Sequence, residues 1–535
     1  MKKVILSGLS LLAFSAAIAQ TNLATLGQVG SQQNSVQNQA GSDLISTVTQ
    51  GTGYNTVRNT NNQSVTTQSG NYQTATVSQN YGANYNQAII TQKGGGPSVA
   101  DGNTAEINQT NTSGGSLLHS SLPRVETADG GNYGTIFQQG AGNASVINQQ
   151  IYSRGNYGSV SQYGSHNTKT TITQSREAFG NTAQIQQGTD NTAVSDNKAT
   201  ITQEKQSLFN ETQITQENNG NSVDIRQRSS SLSNTAISNQ QGTNSQALIE
   251  QSYTATANQA TLRQQGDGNS ARIEQQSTSS GNTAELYQSG SNNVNTSIFQ
   301  NSFSSTNKAY LHQYGNNNEA RVSQLQCSDN NQATIDTGGD GPNGQYPNGW
   351  TPVNNGTASI EQSIYSDDNK ARIGQSGDGH RARIFQSIFV DHSEAYVDQY
   401  PAGLPNTALI RQANTTSNKA SIVQNQASFG GGNGNNVAEV FQGVYSGGLS
   451  RGNNTSVVQE NVHNISRNEQ IGLDNLAVIY QTGTDNLVAG LNADPIARQI
   501  GSDNKLYINQ SGSGAIAHVS QIGVGNTAII NQVTN

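Results

Sequence analysis

Gln264-Gln265-Gly266-Asp267-Gly268-Asn269-Ser270-Ala271-Arg272-Ile273-Glu274-Gln275 is one turn and one strand of a unit that recurs along the chain. From Asn269 onward, Asn269, Ala271, Ile273 and Gln275 occupy every second position. A period of two is that of a β-strand with one buried face. The intervening Ser270, Arg272 and Glu274 point the other way, and their mixed polarity marks a solvent face. Ahead of the strand, Gln264, Gly266 and Gly268 are spaced by two. Glycine tolerates positive φ, so Gly266 and Gly268 beside Asp267 and Asn269 predict a tight turn.

The unit returns in register at Asn181-Ala183-Ile185-Gln187 and at Asn103-Ala105-Ile107-Gln109. Near the end of the sequence it is Gln521-Gly523-Gly525-Asn526-Ala528-Ile530-Gln532. The steps between Gln216, Gln227, Gln240, Gln251, Gln264, Gln275 and Gln288 alternate between 11 and 13, and both steps become 11 from Gln510 to Gln532. Two strands and two turns of different length therefore make one coil. The predicted fold class is all-β: a β-solenoid of stacked strand–turn–strand coils, about 22–24 residues per coil and amyloid-like. The whole chain predicts roughly 21 such coils at the strand spacing of about 4.8 Å.

Composition alone leaves a rival. Hydrophobic residues are 31% and charged residues 11%, so no ordinary globular core is available. A disordered Asn/Gln-rich tract has the same composition, but it has no reason to hold one register over most of the chain. An 11-residue repeat also suits a right-handed coiled coil. That needs apolar spacings of three and four, which 57 glycines and strict alternation do not supply. Inward amides in such a solenoid escape the cost of burial by stacking on identical amides in neighbouring rungs.

Residues 1–19 predict a secretory signal peptide: Lys2 and Lys3, an apolar run from Val4 to Phe14, then Ala17-Ile18-Ala19, with Gln20 as first mature residue. Residues 20–535 then form the repeat solenoid, interrupted by loop insertions near 94–97, 111–131, 338–352, 429–435 and 443–452. No membrane span is expected in the mature chain. The small net charge of −8 argues against nucleic acid as partner. The single Cys327 excludes an intramolecular disulfide.

No chemistry of catalysis is legible. The seven histidines form no metal spacing, most falling on outward or turn positions, and no P-loop or nucleophile elbow occurs. No cofactor, metal or catalytic residue is expected. Asp267, Asp378 and Asp503 fall in turns, read either as turn geometry or as charges that slow aggregation. Outward positions mix Thr, Lys, Glu and Arg and lack the regular Thr array of an ice-binding solenoid.

Gln264-x-Gly266-x-Gly268-Asn269-x-Ala271-x3-Gln275 and Gln521-x-Gly523-x-Gly525-Asn526-x-Ala528-x3-Gln532 resemble the curlin repeat. Gln375-x-Gly377-x-Gly379-His380-x-Ala382-x3-Gln386 departs from it, with His at the Asn position. The resemblance runs along nearly the whole mature chain, with many more copies than the family's short members. It implies a structural subunit of curli-like amyloid fibres in the biofilm matrix, exported through the periplasm to the cell surface. The partners it implies are other copies of the chain and curli-type secretion and nucleation proteins. The ladder residues carry the fold. Asn22-Ala24-Leu26-Gln28 and Asn526-Ala528-Ile530-Gln532 are expected to be the terminal rungs on which copies join, since unpaired strand edges template another chain. A monomeric adhesin gripping a surface or polysaccharide through the insertions is the alternative.

Overall fold

The computed structural model describes residues 21–534 apart from 31, 52–60, 81–84, 111–130, 152, 190–191, 339–352, 401–403, 426–434 and 444–449. The signal-peptide stretch and most of the four longer insertions lie outside the described residues.

The chain winds back and forth between two parallel sheets. Ser222–Arg228 belongs to the first, Thr235–Gln240 to the second, Gln246–Ser252 to the first and Gln259–Gln265 to the second. We call these faces A and B. Every strand pairing is parallel and in register, so like sits on like: Gln240 lies between Gln216 and Gln264, and Ala236 between Thr212 and Ala260. Among the described residues each face holds nineteen rungs, counting a rung split by an insertion once. That makes a rod roughly 90 Å long at the usual strand spacing. The sequence predicted about two more coils, because insertions consume chain that was counted as rungs.

One hydrophobic core runs between the faces from Val48 to Val519, built from the stacked Ala and Ile, Val or Leu positions. Ala183, Ala236, Ala260, Ala284 and Ala309 are buried, as are Ile185, Ile214, Leu262, Leu286 and Leu311 one position pair further on. Burying each such branched side chain contributes roughly 1.5–3 kcal/mol, and in a solenoid these terms add by nearest neighbours. Among the polar residues in these columns, Ser238, Ser466 and Asn468 each carry a buried oxygen that lacks a hydrogen-bond partner.

The short turns behave as the glycine spacing predicts. Gly266 and Gly268 have φ of 87° and 64°, and Gly523 and Gly525 have 120° and 72°. The two glycines serve different ends. A Cβ on Gly266 would overlap the carbonyl oxygen of Gly290 in the next rung. The second position only needs a left-handed backbone, and Asn292 or Asn317 takes it in other rungs.

The longer turns were not legible. Each puts two consecutive non-glycine residues in the left-handed region: Ser229 and Ser230, Tyr253 and Thr254, Ser277 and Thr278, Ile364 and Tyr365. This conformation costs an L-residue roughly 1–2 kcal/mol. It is held by hydrogen bonds to the preceding rung, such as Tyr253 N to Arg228 O (3.2 Å) and Thr254 N to Ser229 O (3.0 Å). A further insertion, also not predicted, splits one face-A rung between Leu487–Ala489 and Ala497–Ser502.

Candidate functional site: the glutamine ladders and the end rungs

Of the ladder residues predicted from sequence, Asn181, Ala183, Ile185, Gln187, Gln264, Asn269, Ala271, Ile273 and Gln275 are all buried and inward. Their amides work in two different ways.

Glutamines stack amide on amide. On face A the chain of bonds passes from Gln28 Nε2 to Gln50 Oε1 (2.7 Å), Gln50 to Gln79 (2.8 Å) and Gln79 to Gln109 (2.8 Å). It continues without a gap to Gln499 Nε2 on Gln521 Oε1 (2.8 Å). The direction is fixed by what else the nitrogen touches. Gln251 Nε2, for example, also donates to the carbonyls of Thr235 and Asn258, both 3.1 Å away. Only a donor satisfies those carbonyls, so every oxygen faces the preceding rung. Each ladder therefore has a sense, running from acceptor at its first rung to donor at its last.

Asparagines mainly bridge the turns; the amide-on-amide stacking expected from the sequence runs through only part of their ladder, as from Asn526 Nδ2 to Asn504 Oδ1 (2.9 Å) and from Asn504 Nδ2 to Asn475 Oδ1 (3.0 Å). The Asn234 Oδ1 accepts the backbone N–H of Asn258 (2.9 Å), while its Nδ2 donates to the turn carbonyl of Ala255 (2.8 Å). Asn258, Asn282 and Asn307 repeat this, their Nδ2 reaching the carbonyls of Ser279, Ser304 and Ser328. The pleat breaks at the turn, which orphans a backbone donor and an acceptor there, and the Asn side chain bridges both. The buried serines that receive it were missed; the signal was a small residue three places before each ladder Asn, as Ser279 before Asn282.

The face-B ladder has one defect. Thr337 stands in register between Gln313 and Gln375. Its short side chain cannot bridge them, so Gln313 Nε2 and Gln375 Oε1 are both buried without a partner.

His380 occupies an Asn position and is fully buried. Its Nδ1 accepts the Asn406 backbone N–H at 3.0 Å, in place of an Asn oxygen, while Nε2 is buried without a partner. Burial pushes its pKa down to about 4. His312 is also buried, its Nδ1 lying 2.9 Å from Asp336 Oδ1. His166, His392, His463 and His518 are exposed, as expected for outward or turn positions, and His380 is the inward exception. Among the turn aspartates, Asp267 Oδ1 accepts the Thr243 N–H at 3.1 Å and its hydroxyl at 2.6 Å. That bond clips one turn to its neighbour and holds the carboxyl below its usual pKa.

The end rungs differ from all others. Asn22, Ala24, Leu26 and Gln28 are exposed on the strand Leu23–Gln28. At the opposite end Asn526 is exposed, while Ala528, Ile530 and Gln532 are half-buried on the strand Thr527–Val533. Gln521 is buried, and Ile522, Val524, Ile529 and Val533 beside these rungs are open to solvent.

Among the described residues no group of three or more His, Cys, Asp or Glu side chains is placed to hold a metal, and no helix is long and apolar enough to cross a membrane. A search of curated proteins finds no match to the chain. The family model described as the curlin associated repeat matches residues 255–290 and 280–325. Those residues sit in the middle of the ladder, and the same register continues on both sides of them. That match, together with a parallel β-solenoid in one register, supports assigning the chain to the curlin-repeat family.

Proposed function

We propose that this chain is the subunit of an extracellular, curli-like amyloid fibre of the biofilm matrix that serves in adhesion, and that copies join by stacking coils end to end. The observation that carries this is the pair of outermost described rungs. They alone leave their ladder residues open, and they are complementary. Gln28 and Gln39 turn amide oxygens outward at one end, and Gln521 and Gln532 have no onward amide to donate to at the other. Placing the last coil of one copy beneath the first coil of the next sets Gln521 against Gln28 and Gln532 against Gln39.

The end coils also match in shape. Gln28 to Gln39 and Gln521 to Gln532 are both steps of 11. In the turns between them, Gly30 and Gly523 have φ of 126° and 120°, and Gln32 and Gly525 have 56° and 72°. Joining unlike ends does not close on itself and so propagates. The likeness to the curlin repeat supports secretion and nucleation partners of the curli type as part of this proposal.

The test is quiescent incubation of the purified chain from Gln20, with thioflavin T fluorescence and fibre diffraction. The proposal expects fibres with a meridional reflection near 4.8 Å, the strand spacing. A β-rich rod that stays monomeric at high concentration would overturn it and leave a loop-bearing adhesin as the better reading.

A further inference from the structure

We infer that the outward side of face A, along the in-register column Arg272, Ser297, Arg321, Ser359 and Arg383, is a binding strip for an extended anionic polysaccharide in which charged and neutral sugars alternate. This does not depend on whether the rods join.

The column is established by strand register: Arg272 pairs with Ser297, Ser297 with Arg321, Arg321 with Ser359 and Ser359 with Arg383. Cation and hydroxyl thus alternate rung by rung. Adjacent rungs are about 4.8 Å apart, so the arginines repeat every ~9.6 Å. All three are exposed, as is Arg381 at the side of the strip. Together they border a groove of about 790 Å³ that Ser297, Ser359 and Thr357 also line.

The electrostatics leave charge to spare. Arg272 pairs with Glu274 on its own strand. Arg321, Arg381 and Arg383 form no ion pair among the described residues; Arg321 Nε instead donates to Ser323 Oγ at 2.9 Å. Glu319, which also lines the groove, and Glu361 keep their charge while accepting from Asn295 and Ser363, so the four arginines outnumber the three nearby carboxylates of Glu274, Glu319 and Glu361. Across the same rungs the outward side of face B mixes Glu285, Asp336 and Asp398 with Arg263, Lys308 and Arg372, and the chain as a whole is at −8. A cationic strip on an acidic rod is therefore local. Arg321 lies 5.0 Å over the Phe299 ring and Arg383 4.8 Å over Phe385, which fixes two guanidinium groups in place and leaves flat apolar surface beside them.

The repeat selects the ligand. In an extended chain each pyranose ring advances by close to one rung, so a polymer with a uronate on every second ring sets one carboxylate at each arginine. The neutral ring then lies over a serine. Guanidinium groups bind carboxylates in bidentate fashion. Nucleic acid fits poorly, because a duplex strand carries a phosphate every ~3.4 Å, about three for each arginine.

The experiment uses the full mature chain and hyaluronan oligosaccharides as probe, read by calorimetry across a salt series. A neutral β-glucan and an oligothymidylate of equal length serve as comparisons. Hyaluronan is expected to bind, and Arg321→Gln with Arg383→Gln to weaken it at least about tenfold and lower the salt slope by about two. Arg228→Gln, outside the strip, leaves binding unchanged. Ser359→Glu keeps every arginine and puts a carboxylate in the groove; it is expected to weaken binding to a similar degree. Unchanged affinity in either strip variant would overturn the proposal, as would equal binding of the neutral glucan or tighter binding of the oligothymidylate.

Discussion

Replacing Thr337 by Gln should close the one gap in the face-B ladder. In the wild-type chain Gln313 Nε2 and Gln375 Oε1 are buried and unpartnered. Each such group costs roughly 1–3 kcal/mol. A glutamine at 337 accepts from the first and donates to the second, as Gln264 does between Gln240 and Gln288 at 2.8 Å on both sides. Against this stands the rotamer entropy of ordering one more glutamine, up to about 2 kcal/mol. Two groups at that cost, less the entropy, leave a gain of roughly 0–4 kcal/mol, centred on about 2 kcal/mol. Stability in a solenoid is local, so the assay is amide hydrogen exchange in Lys308–Tyr314 and Lys370–Gln375, the strands on either side. Both should slow by about tenfold or more, since 1.4 kcal/mol is a factor of ten. Thr337→Val, which keeps the shape and supplies no amide, should not slow them. Faster exchange in Thr337→Gln, or equal slowing in Thr337→Val, would refute the reasoning.

Other consequences are as direct. His380 is held at about 4 when folded and returns to an ordinary value near 6.5 when unfolded. The unfolded chain then binds the extra proton, so stability present above pH 6.5 falls as pH drops toward 4, by about 3 kcal/mol in all. His380→Asn should remove that dependence, seen as protection of amides near Asn406, relative to their intrinsic exchange rates, that no longer falls between pH 6.5 and 4. Ser238→Ile fills a polar break between Ile214 and Leu262 and should stabilise the neighbouring rungs by about 1–3 kcal/mol in the same exchange measurement. Gly266→Ala should expose its coil to protease, because the new Cβ meets the Gly290 carbonyl and the backbone at φ 87° is strained. Gln265→Ala, in the same turn but side-chain exposed, is the control.

Much of the fold was legible because repetition turns weak local signals into a register. Asn, Ala, Ile and Gln at every second place gave strand direction and inward face, and the steps between glutamines gave the coil. What escaped has physical reasons. The double left-handed turns at Tyr253-Thr254 and Ile364-Tyr365 carry no glycine, since their backbone is held by the preceding rung rather than by residue preference. The turn-bridging part of Asn bonding was not legible, because a repeating amide is equally consistent with stacking and with bridging a turn. The arginine strip is hidden in sequence: Arg321 and Arg383 are separated by the insertion at 338–352, which hides their two-rung spacing. Once the register realigns Ser359 with Arg321, outward residues that read as an irregular mixture become an alternating column.

The central claim is that copies meet end to end in one orientation, and a crosslink tests it most directly. In-register continuation of face A places Thr25 of one copy against His518 of the next, both on the outward side, at about 4.8 Å between strands. That lies within disulfide reach. In a Cys327→Ser background, chains carrying Thr25→Cys and chains carrying His518→Cys are mixed, assembled and oxidised. The account predicts disulfide-linked pairs in the mixture and none in either chain alone. Pairs formed by one variant with itself, or assembled fibres with no crosslink in the mixture, would contradict it.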